Sequence, residues 1–277
     1  MSTHGLVCVL AGAAVLAACG SSSPASSSVA SSTSAAWPPG PVVDLSHSYD
    51  AGTVYWPTAE PFALKKVADG VTPQGYYYAA NNFCTSEHGG THIDSPVHFA
   101  KDGWTVDKIP IEQLIAPVVV VDVEPASAAN ADYQVSRGDF EAWERAHGAI
   151  PAGVIVLLRT GYGARWPDAA RYLGTAERGE KAVPKLHFPG LHPDAARWLV
   201  AERSIKAIGL DTASIDYGQS TLYESHRILF EKNIPALENL ANLDRLPATG
   251  ARLVGLPMKI GGGSGGPVRV VAFLPPV

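Results

Sequence analysis

Three short apolar runs separated by two helical stretches constrain the fold of this chain more than any other feature. Val118–Val123 reads V-V-V-V-D-V, Gly153–Arg159 reads G-V-I-V-L-L-R and Lys206–Asp211 reads K-A-I-G-L-D. Aliphatic runs that do not alternate with polar residues mark strands buried on both faces. Between the first two, Ser136–His147 predicts a helix, with Ser136 and Asp139 as a capping-box-like start and Gly148 as the stop. Pro193–Arg203 predicts a second helix, with proline in its first turn. The order β-α-β-α-β specifies an α/β domain built on one mixed sheet. Pro235–Leu240, Arg252–Leu256 and Val268–Leu274 are further strands. The 22 prolines exclude a helical bundle or coiled coil. No repeat or linker interrupts residues 37–277, which read as one domain.

Residues 1–36 differ in kind. No Asp, Glu, Lys or Arg precedes Asp44. Leu6–Ala18 is an apolar run too short to span a bilayer as a helix and of the length of a secretory core segment. It ends in Leu16-Ala17-Ala18-Cys19, which resembles a bacterial lipobox. Residues 1–18 are therefore expected to be a signal peptide and Cys19 the lipidated residue. The serine-rich stretch that follows, to residue 36, lacks the apolar surface to fold and reads as a tether. The expected location is the extracytoplasmic face of a membrane, with the lipid as the only membrane contact. Beyond Cys8 and Cys19 only Cys84 remains, so the folded part forms no internal disulfide. Cys84 is expected to be a small buried apolar residue. A net charge of −5 offers no basic excess to phosphates, which excludes nucleic acid as a partner.

The chemistry is concentrated in Glu87–Phe99, E-H-G-G-T-H-I-D-S-P-V-H-F. His88, His92, Asp94 and His98 form H-x3-H-x-D-x3-H, a spacing that chance gives in roughly one chain in two thousand of this composition. Gly89 and Gly90 argue against a helical pair of histidines, since two glycines weaken a helix by about 2 kcal/mol relative to alanine. A turn running into a strand places His92 and Asp94 on one face, and the glycines let His88 fold back to the same point. Imidazoles and a carboxylate suit zinc or manganese. Three ligands with an open position make a catalytic site, and His98 is left over as acid and base.

H-G-G-T-H-I-D-S-P-V-H-F resembles the signature of the cyclase family of metal-dependent hydrolases, to which bacterial kynurenine formamidase and isatin hydrolase belong. The resemblance extends over most of residues 42–277. Asp44-Leu45-Ser46-His47 is similar to the family's opening strand, Arg159-Thr160-Gly161 to its R-T-G turn, and Asp211–Asp216 to its D-x2-S-x-D segment. The resemblance implies a mixed-sheet domain of the swivelling β/β/α kind. It implies two divalent metals per protomer, zinc or alternatively manganese. His88, His92 and Asp94 would hold the first, and the bridging Asp94 with His226 and Glu238 the second. It further implies His98 as the acid and base, Trp56 against the substrate, and a homodimer. The reaction implied is hydrolysis of an amide or lactam C–N bond, with arylformamidase as the default activity. A metal pair lowers the pKa of a held water toward about 7, and His98 would take and return the proton. The alternative reading is a lipid-anchored protein that binds a metal or small ligand without turnover.

Other motifs receive plainer readings. Gly262-Gly263-Ser264-Gly265-Gly266 matches G-x-S-x-G, but a strand rather than a helix follows and no histidine comes later, so it is not a nucleophile elbow. It is expected to be a flexible glycine loop near the site, and Pro257–Val270 resembles the family's glycine-rich closing loop and last strand. Tyr76-Tyr77-Tyr78 reads as a strand beside the site, and His47, His147, His187 and His192 as structural residues.

Overall fold

The computed structural model describes residues 40–276. The expected signal peptide, Cys19 and the tether lie outside the described residues. The strands are β1 Val42–Asp44, β2 Ala63–Val71, β3 Tyr77–Cys84, β4 His92–Asp94, β5 Ile115–Asp122, β6 Gln134–Val135, β7 Ile155–Arg159, β8 Gly190–Leu191, β9 Ala207–Leu210, β10 Ala236–Glu238, β11 Arg252–Pro257 and β12 Gly265–Phe273. The helices are α1 Glu124–Ala129, α2 Arg137–His147, α3 Ala169–Leu173, α4 Pro193–Glu202 and α5 Glu224–Phe230.

The three apolar runs form β5, β7 and β9, which pair in parallel and continue in parallel to β10. Their register sorts the side chains by the two-residue period. Val119, Val121, Val156 and Leu158 pack on one face with Phe140 and Trp143 of α2 and Trp198 and Leu199 of α4. Val118, Val120, Ile155 and Leu157 pack on the other with Leu237, Leu253 and Val270. Both faces are buried, which is why the runs carry no polar alternation. The α2 capping box is present: Asp139 accepts from the Ser136 backbone, and Gly148 ends the helix at φ 87°.

The main sheet runs β1-β12-β11-β5-β7-β9-β10-β4, and β12 pairs with β4 as well, so the sheet closes into a barrel. The long β12 makes the closure. Its residues 268–273 pair with β11, while Gly265–Pro267 turn to pair with β4. A Cβ on Gly265 would lie 2.5 Å from the Ile93 carbonyl oxygen, so only glycine permits this approach. Residues 263–266 are thus part of the closure and not the loose loop expected from their composition. Gly263, Gly265 and Gly266 are buried.

β2 and β3 form a hairpin arm that pairs with no other strand among the described residues. Its position corrects two expectations. Cys84 is exposed, because β3 has water on both faces instead of a core. Tyr76, Tyr77 and Tyr78 also face solvent, and the cleft described below is lined without them. No helix among the described residues is long and apolar enough to cross a membrane.

Candidate metal centre

The site is assembled where β4 meets β10. Antiparallel register places Glu238 opposite His92 and Ala236 opposite Asp94. The two-residue period turns Ile93 into the core and leaves His92 and Asp94 together on the other face. The turn before β4 brings His88 back over this face. Gly90 sits in the left-handed region at φ 59°, and a Cβ there would meet the Tyr49 ring at 2.6 Å. His226 enters from α5, whose start is held by Asp216, the acceptor for the backbone N–H groups of Ser225 and His226.

The ligating atoms of His88, His92 and Asp94 lie within 4.8 Å of one another, and so do those of Asp94, His226 and Glu238. The structure therefore brings together all five residues expected as ligands, with Asp94 common to both groups. His92, Asp94, His226 and Glu238 are buried.

Each histidine has one ring nitrogen committed to a partner outside the centre. His92 Nδ1 donates to the Gly90 carbonyl at 3.0 Å, and His226 Nδ1 donates to Asp216 at 2.5 Å. His88 Nε2 lies 2.9 Å from Ser264 Oγ. The other nitrogens converge on carboxylate oxygens. His92 Nε2 is buried without a hydrogen-bond partner, 3.0 Å from Asp94 Oδ1 and 3.5 Å from Glu238 Oε2. His226 Nε2 is 3.2 Å from Asp94 and 3.3 Å from Glu238, and His88 Nδ1 is 2.6 Å from Asp94. Lone pairs of neutral imidazoles aimed at carboxylate oxygens repel unless a cation lies among them. The orphaned His92 nitrogen and the two nitrogen–carboxylate groups fit divalent metal chemistry.

Electrostatics agree. Burial opposes the charge on Asp94, but His88, His226 and His92 outweigh it and hold the carboxyl well below its usual range. Burial and the Asp94 charge push Glu238 up. Burial would lower His226, yet Asp216, Asp94 and Glu238 raise it well above an ordinary imidazole. Burial would lower His92 as well, yet Asp94 and Glu238 raise it above an ordinary imidazole.

His98, in a short turn of 3₁₀ helix after β4, stacks on His88 with ring centroids 3.9 Å apart. Its free face opens into a cleft of about 400 Å³ that also contains His92, Asp94, His226 and Glu238. Desolvation, aided by the neighbouring His88, His226 and His92, lowers its pKa to about 4 despite the Asp94 charge. Trp56 lines the same cleft, edge-on to Phe188 and Tyr223, with Val54, Tyr55 and Phe99 nearby. The remaining histidines among the described residues lie apart: His47 stacks on Trp166, His187 meets Asp132, His192 caps α4, and His147 packs beside Trp143.

The Cyclase family model matches residues 43–217. The chain belongs to the cyclase family. It is 37% identical to isatin hydrolase from Roseibium aggregatum over 73% of this chain and 77% of that protein. It is 28% identical to kynurenine formamidase from Salinibacter ruber over 83% of this chain and 96% of that one. Among solved structures, isatin hydrolase A from Labrenzia aggregata superposes with a TM-score of 0.76 at 35% identity, covering 84% of this chain and 93% of the other. The fold and family membership inferred from the signature are therefore correct.

Sequence reasoning missed three supporting residues. Asp216 was visible only as part of a resembling segment. Asn239, which donates to the Gly90 carbonyl at 2.7 Å, carries no signal, and Ser264 reads only as part of a glycine loop, since each acts through a tertiary contact rather than a spacing.

Proposed function

We propose that this enzyme hydrolyses the C–N bond of a neutral, planar aromatic amide or lactam. The observation that carries this reading is the character of the cleft. Its walls are Val54, Tyr55, Trp56, Phe99 and Tyr223, and no described residue lining it is a lysine or arginine. Such a slot favours a flat apolar ring whose carbonyl faces the histidine–carboxylate floor. A zwitterionic amino acid such as formylkynurenine meets no cationic partner for its carboxylate there. An isatin-like lactam or a simple aryl formamide is the better match.

His88, His92, Asp94, His226 and Glu238 would hold the metal, zinc or manganese, with Asp94 bridging two sites. Bound there, a divalent metal supplies Lewis acidity and a water of lowered pKa. Trp56 and Phe99 orient the ring and exclude bulk water. His98, open to the cleft, accepts a proton at its ring nitrogen and returns it to the leaving nitrogen. The products are a carboxylate and an amine, joined in one molecule when the substrate is a lactam.

The test is turnover of isatin, formanilide and formylkynurenine by zinc-loaded and manganese-loaded protein. Faster hydrolysis of the two neutral substrates is expected. Preference for formylkynurenine would overturn the substrate assignment. Metal uptake without turnover of any of them would favour the binding-protein alternative.

Two further proposals complete the reading. A second copy of the chain covers the β2–β3 arm, which exposes Leu64, Val67, Val71, Tyr77 and Phe83. An isolated two-stranded hairpin is marginal in water and gains from such a partner. Sedimentation of the chain and of Leu64→Asp/Tyr77→Asp would decide it, with a monomeric wild type counting against. Export and lipidation at Cys19 rest on the sequence alone and are tested by lipid labelling of wild type and Cys19→Ser.

A further inference from the structure

The G-G-S-G-G segment is not a nucleophile elbow, yet its serine reaches the centre. Ser264 Oγ lies 2.6 Å from Glu87 Oε2 and 2.9 Å from His88 Nε2. A hydroxyl has one proton to give. The Glu87 carboxylate only accepts, and it also takes the Ser264 backbone N–H at 3.0 Å. The hydroxyl proton therefore goes to Glu87, and the serine oxygen is left to accept from His88 Nε2–H. In the neutral, metal-binding ring that fixes the tautomer: Nε2 carries the proton, and Nδ1 presents its lone pair beside Asp94 Oδ1.

The backbone around Ser264 is built for this position. Its carbonyl accepts from Ser95 N at 2.9 Å and Ser95 Oγ at 2.6 Å, tying it to the residue after Asp94. A Cβ on Gly263 would come within 2.7 Å of Glu87 Oε1, and one on Gly265 within 2.7 Å of the His88 ring. Glycine on both sides lets the chain come this close.

We propose that Glu87 and Ser264 are positioning residues: a carboxylate–hydroxyl–imidazole relay through which the barrel-closing loop sets the tautomer of His88 for metal binding. It parallels Asp216 on His226 and the Gly90 carbonyl on His92, with a hydroxyl inserted. The inference rests on the metal reading above. It adds that the loop and the metal stabilise one another, since a loop that prepares the ligand is in turn held by the occupied centre.

The test compares zinc affinity of the whole chain with Ser264→Ala, Ser264→Thr and Glu87→Gln, by competition against a chromogenic chelator. Unfolding of the metal-free proteins and ¹⁵N spectra of the histidine rings accompany it. Ser264→Ala is expected to weaken zinc about 10- to 100-fold, and Ser264→Thr, which keeps the hydroxyl, by less than about 3-fold. Glu87→Gln is expected to weaken it about 10-fold and carries the test if Ser264→Ala does not fold. The zinc-loaded wild type should show His88 protonated at Nε2. Unchanged zinc affinity in both Ser264→Ala and Glu87→Gln overturns the relay and leaves the metal reading standing. Equal losses in Ser264→Ala and Ser264→Thr, with lower metal-free stability in both, reduce Ser264 to packing. No zinc uptake by the wild type removes the metal reading and the relay together.

Discussion

Asp216 accepts the Nδ1 proton of His226 at 2.5 Å, and so directs the opposite nitrogen of that ring at Asp94 and Glu238. The same carboxylate receives two backbone N–H groups at the start of α5. Asp216→Asn keeps the shape but loses the charge and gains a donor that competes for the ring. Metal affinity should fall about 10- to 100-fold, with the metal-free unfolding midpoint recorded alongside. Titration with zinc reads the affinity. An unaltered dissociation constant would mean that His226 is oriented by α5 alone.

His98 lies outside both groups of mutually close ligating atoms, while its ring stacks on His88. Removing it should leave metal content intact and remove the proton acceptor. His98→Ala is expected to lower kcat by about 10²- to 10⁴-fold with bound metal unchanged. Elemental analysis beside steady-state rates separates the two effects. Loss of metal from this variant would move His98 from proton transfer to ligation.

Much of this architecture is legible from residues alone. β5, β7, β9 and α2 are written in local patterns, because a strand buried on both faces needs an unbroken apolar run and a helix start needs its cap. The turn into β4 is legible for the same reason: two glycines between histidines leave few alternatives. His226 and Glu238 are different. Their twelve-residue spacing has no local meaning, and they reach Asp94 only through the β4–β10 register and the start of α5. Ser264 reads as loop because composition does not reveal that β12 spans two strand partners. Cys84 reads as buried because a short apolar residue beside a site usually is, whereas the arm that carries it is exposed on both faces.

In the proposed centre, Glu238 would be the ligand that distinguishes a two-metal site from a one-metal site. It faces both His92 Nε2 and His226 Nε2. Replacing its carboxylate by the isosteric amide removes the charge that a second dication needs, while His88, His92 and Asp94 stay in place. About two zinc ions per chain are expected in the wild type and about one in Glu238→Gln. Elemental analysis after exhaustive dialysis reads both. Equal stoichiometry in the two proteins would place the second ion elsewhere or remove it.

His47 offers a pH test independent of the metal. Its ring stacks on Trp166 at 4.2 Å, and its buried Nε2 has no hydrogen-bond partner. Desolvation lowers its pKa to about 4 against the opposing pull of Asp44. The unfolded chain takes up this proton near pH 6.5, well before the folded chain does. Stability from the neutral ring is therefore full above about pH 6.5 and is lost as pH falls toward about 4. His47→Phe keeps the stacking surface and removes the titrating nitrogen. Groups shared by both proteins cancel in the difference between their urea midpoints. That difference should shift in favour of His47→Phe as metal-free samples are taken from pH 7 to pH 4.5. Midpoints that fall in parallel would mean that the fold accepts a charged His47 without penalty.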